Sequence, residues 1–101
     1  MRVEINGREY SFEVNGTVGL GYKAEQVLGA ELDPTNKMHV AAMCYAALFY
    51  SNDGQVMSWY EFISTLTSEV NNQMVNHLTE RWKVLEGRTV ENAPKESTEG
   101  E

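Results

Sequence analysis

Cys44, His39 and His77 are the side chains of this 101-residue chain best suited to nucleophilic or metal chemistry. A cysteine nucleophile needs a base in reach and a setting that presents and activates the thiol. Cys44 stands instead in the run Met43-Cys44-Tyr45-Ala46, where a lone thiol reads as a small buried hydrophobe. His39 has no ligand-type residue three or four places on, and His77 has only Glu80; one His–Glu pair does not make a metal site. An enzyme would require Cys44, a histidine and an acid to converge from distant parts of the chain.

Ser51-Asn52-Asp53-Gly54, with Glu61 beyond it, has the outline of half a calcium loop. With Gly54 at the sixth position, the first, third and twelfth ligands fall on Phe49, Ser51 and Tyr60, and Glu61 comes one residue late. A turn between helices explains the glycine, and Ser58-Trp59-Tyr60-Glu61 explains Glu61 as the partner in a capping box. Gly16, Gly19 and Gly21 lack the Gly-Lys-Ser/Thr of a phosphate loop and read as a flexible joint. No cofactor or metal is expected, and the chain reads as a binding protein, not an enzyme.

Charge narrows the partners. The net charge of −7, from 15 acidic and 8 scattered basic residues, opposes nucleic acid and anionic membrane surfaces. No apolar run approaches the ~20 residues of a membrane-spanning helix, and Val3-Glu4-Ile5 interrupts any signal-peptide core. The expected location is the cytoplasm.

The elements that position these residues follow from local pattern. Residues 2–5 and 8–14 alternate around Asn6-Gly7, the preferred pair for a tight type I′ turn, so a β-hairpin is predicted with Val3, Ile5, Tyr10, Phe12 and Val14 on one face. Residues 18–28 have helical spacing and end at Gly29. Asp33-Pro34 predicts the start of an apolar helix over residues 34–50. From Ser58, the residues Phe62, Leu66, Val70, Met74, Leu78 and Trp82 recur every four places, with Ile63, Val75 and Leu85 widening the stripe. Thr65-Leu66-Thr67-Ser68 predicts a break, with Ser68 capping the last helix, and Gly87 is expected to stop it. The predicted fold is α+β: a hairpin and three to four helices over residues 1–86, then a disordered acidic tail over 87–101.

In so small a domain the apolar helix has little protein to cover all its faces, so part of it is expected to meet a partner. Tyr45, Leu48, Phe49, Trp59 and Tyr60 are the candidate contact residues; Trp59 and Tyr60, in a first helical turn, fit core and interface equally. Met38, Met43, Met57 and Met74 suit adaptable contacts in the same way.

Three segments in order, Ile5-Asn6-Gly7-Arg8-Glu9-Tyr10-Ser11-Phe12, then Tyr45-Ala46-Ala47-Leu48, then Ser58-Trp59-Tyr60-Glu61-Phe62, give the chain a resemblance to the tail assembly chaperones of long-tailed bacteriophages and prophages. The resemblance implies a non-enzymatic protein of the host cytoplasm that binds the tape measure protein and helps tail tube subunits polymerise around it. It also implies self-association and, in some members, a longer frameshifted form. The alternative is a small helical adaptor or inhibitor from an unrelated bacterial or phage pathway, also acting through protein contacts.

Overall fold

The computed structural model describes residues 1–92, with side chains through Gly87. A two-stranded antiparallel hairpin, β1 (Arg2–Ile5) and β2 (Arg8–Ser11), is followed by four helices: α1 (Val18–Leu28), α2 (Lys37–Ser51), α3 (Trp59–Thr65) and α4 (Ser68–Asn92). The fold is α+β, as the pattern predicts. No helix among the described residues is long and apolar enough to cross a membrane.

Asn6 and Gly7 turn the hairpin with φ of 53° and 83°, the left-handed pair that a type I′ turn demands. The register Val3↔Tyr10 and Ile5↔Arg8 follows, and alternation then puts Val3, Ile5, Tyr10, Phe12 and Val14 into the core. Gly29, at φ 68°, closes α1 through its N–H to Glu25 O, as expected.

Three boundaries differ from the sequence reading. The apolar helix begins at Lys37, not near Pro34, because the Asp33 carboxylate is taken by Thr35 N and Oγ1 in a local turn. Asn36, in extended conformation, caps α2 instead and accepts from Met38 N and His39 N. The break after α3 is present: Ser64 and Thr65 turn their hydroxyls back onto Tyr60 O and Glu61 O, and Leu66 is extended. Thr67, not Ser68, caps the next helix, accepting Val70 N at 3.3 Å on its hydroxyl. Gly87 does not end α4, which continues to Asn92; the rest of the expected tail lies outside the described residues.

The larger correction concerns α2. Residues Ala42, Met43, Cys44, Tyr45, Ala46, Ala47 and Leu48 are all buried, since α1, α3, α4 and β2 each pack on this helix. Its middle is the centre of the core, and the alanines let neighbouring backbones come close.

The end of α2 also closes the hairpin. Asn52 accepts from Ser11 N at 3.2 Å and donates through Nδ2 to Ser11 O at 2.9 Å and Leu48 O at 2.8 Å. Ser51 Oγ accepts from Glu13 N at 2.8 Å and donates to Glu13 O at 3.2 Å. Two side chains thus stand in for a third strand along the free edge of β2. Beyond them Asp53 and Gly54 are left-handed, and a Cβ on Gly54 would lie 3.3 Å from Phe49 Cζ.

Asn52→Asp keeps the shape but turns an acceptor onto two carbonyl oxygens; it is expected to cost about 2–3 kcal/mol, more than Asn52→Ala, measured by urea denaturation. Gly54→Ala adds φ strain to a tight contact and is expected to cost about 1–2 kcal/mol in the same assay.

Candidate interaction surface

The five residues predicted to meet a partner do not form one patch. Leu48 is fully buried. Tyr45 is 6% exposed, donates its hydroxyl to Met57 O at 2.6 Å, and meets the rings of Trp59 and Phe62 at 5.6 and 5.2 Å. Trp59 stacks on Phe62 at 5.8 Å, so Tyr45, Trp59 and Phe62 form the aromatic seam holding α3 to α2. Phe49 is half-buried on another side, beneath the Lys23 ammonium 4.0 Å from its ring centroid and against Gly54. Tyr60 alone is open, at 76% exposure. The sequence reading therefore fails for Tyr45 and Leu48, whose burial depends on elements distant in sequence. Of the methionines, Met43 and Met74 are core, Met57 is half-buried and Met38 is exposed.

The structure gathers a different apolar surface. A groove of about 340 Å³ lies between α4, the first half of α2 and the loop before α2, lined by Leu32, Val40, Met43, Leu78, Trp82 and Lys83 among others. Met43 and Leu78 form its buried floor, while Leu32, Val40 and Trp82 are half-buried walls. Val40 also lines a neighbouring pocket with Val75 and Asn71, and Lys37 and Asn71 continue into a third beside Met38, Ile63 and Leu66. The three make one strip. Tyr60, three residues before Ile63 on α3, lines none of the three and stands exposed beside them in sequence only.

Local sequence fixes both walls. On α4, Asn71, Val75, Leu78, Thr79 and Trp82 recur at helical spacing, one edge of a stripe too wide for α2 to cover. The opposite wall is pinned: Glu25 accepts from Leu32 N at 2.9 Å, and His39 Nδ1 accepts from Asp33 N at 2.8 Å. His39 is thus a rim fastener. His77 sits edge-on to Phe12, ring centroids 5.8 Å apart, with Nε2 buried and unpartnered. The sequence held part of the signal, since Val75 widens the α4 stripe, but which residues of that stripe stay open depends on the elements that pack beside it.

Chemical groups are not gathered in the same way. Among the described residues, no group of three or more His, Cys, Asp and Glu side chains is placed to hold a metal ion. A more polar cleft beside the hairpin, lined by Arg8, Tyr10, Gln55 and Glu61, contains one carboxylate and no thiol. Cys44 is fully buried, and burial pushes its thiol up to about 12.

No family model, curated protein or solved structure matches the chain.

The neutral, enclosed thiol is expected to resist an aromatic disulfide reagent at neutral pH in the native protein and to react fully in denaturant. Rapid native labelling would show that α2 opens readily.

Proposed function

We propose that this protein is a tail assembly chaperone of a long-tailed bacteriophage or prophage, acting in the host cytoplasm. In this reading it binds an apolar helical segment of the tape measure protein and keeps it soluble while tail tube subunits assemble around it. The observation that carries the reading is the strip running from Ile63 past Met38, Val40 and Val75 to Trp82, an apolar furrow between helices. Such a furrow suits the helix-in-groove mode, in which one helix lays its apolar face between two others. The order of hairpin, joint and helices supports the assignment through the resemblance of Ile5 to Phe12 and of Ser58 to Phe62. The acidic surface elsewhere favours solubility of a complex with an aggregation-prone partner. Self-association and contact with tail tube subunits belong to the same proposal.

The test is affinity capture of the tagged protein from a phage-induced lysate, with partners and any longer product identified by mass spectrometry. A very long helical partner is expected; recovery of the protein alone while tails assemble would favour an unrelated adaptor. Tyr60→Ala and Val75→Glu are expected to reduce capture, Tyr60→Ala with a stability change within about 0.5 kcal/mol because the ring is exposed. Trp59→Ala is expected to unfold the aromatic seam and lose both together.

A further inference from the structure

The apolar strip differs in charge from the rest of the molecule. The chain has 15 acidic and 8 basic residues, yet the three connected pockets are lined by Lys37 and Lys83 and by no carboxylate. Both lysines are exposed, and neither has an ion-pair or hydrogen-bond partner among the described residues. Two of the neighbouring acids have partners of their own. Asp33 is held by Thr35, and Glu86, the next carboxylate along this face of α4, accepts the Thr17 hydroxyl at 2.6 Å. Glu80 is three residues before Lys83 and borders it on the helix surface, without an ion pair between them, and it falls on the far side of α4 from Val75 and Trp82.

We propose that this strip docks an amphipathic partner helix whose apolar stripe is flanked by carboxylates, with Val40, Val75, Leu78 and Trp82 taking the stripe and Lys37 and Lys83 meeting the flanks. The α4 wall from Asn71 to Lys83 is about 18 Å long at 1.5 Å per residue, three turns of a partner helix. Three turns present apolar side chains at i, i+3 or i+4, and i+7, enough to fill the successive hollows. A two-fold pairing of copies would bring this basic, acid-free strip against itself, so charge favours a different and acidic chain. The proposal rests on reading this face as the binding surface, not on the tape measure assignment.

The experiment titrates isotope-labelled full-length protein with two synthetic amphipathic helices of about 18 residues. They share a leucine stripe and differ only in glutamate or lysine flanks. The glutamate peptide is expected to shift the amides of Val40, Val75 and Leu78 and the Trp82 indole, to bind about tenfold tighter than its lysine twin, and to weaken with salt. The order is notable because net charge alone would favour the lysine peptide. Lys37→Glu with Lys83→Glu, both at exposed positions, is expected to reverse it while leaving the denaturation midpoint unchanged. Equal affinities, shifts centred elsewhere, no binding of either peptide, or concentration-dependent shifts at the strip without peptide would each overturn the proposal, the last by assigning the strip to a second copy. If peptide binding follows expectation while lysate capture yields no tape measure protein, only the phage assignment fails.

Discussion

Residues Ala42 to Leu48 of α2 are buried on every side, and covering that helix is the constraint from which the rest of the fold follows. A helix with apolar side chains all round gains nothing from facing water, so each of its sides must receive a neighbour. α1, α3, α4 and β2 supply them. The small side chains of Ala42, Cys44, Ala46 and Ala47, all fully buried, permit this crowding, whereas Tyr45, Leu48 and Met43 fill the wider gaps. A thiol in that position is part of the packing, and its raised pKa is the electrostatic expression of the same burial.

The hairpin solves a second problem at the end of α2. Two strands alone are marginal in water and present an open edge. Ser51 and Asn52 bind the outward-facing amides and carbonyls of Ser11 and Glu13, while the inward face packs onto the core. Helix termination and edge protection are thereby done by the same two residues. The left-handed Asp53 and Gly54 then carry the chain away beneath Phe49 towards α3.

What the core leaves uncovered is as informative as what it covers. α4 has an apolar face broader than α2 can bury, and the excess becomes one wall of a furrow whose other wall is fastened by Glu25 and His39. The furrow is therefore built before any partner arrives, which lowers the ordering cost of binding. Its two lysines, unpaired among the described residues, set it apart from an otherwise acidic protein.

Sequence by itself determined the hairpin register, through Asn6-Gly7 and the alternation of Val3, Ile5, Tyr10, Phe12 and Val14. It also determined α1 through Gly29, the start of α3 through Ser58, and the interruption at residues 65–68. Each of these is a matter of side chains bonding or packing within a few residues, where local rules apply. The competing choices of Asp33 and Thr67 show the limit of those rules: several nearby oxygens can cap a helix, and geometry selects one. Only the tertiary structure decided that Tyr45 and Leu48 lie inside, that Trp59 belongs to a seam while Tyr60 stands free, and that the apolar opening is at Val40 and Trp82. Whether an apolar side chain is core or surface depends on which distant element comes to rest against it, and no periodicity along one helix records that.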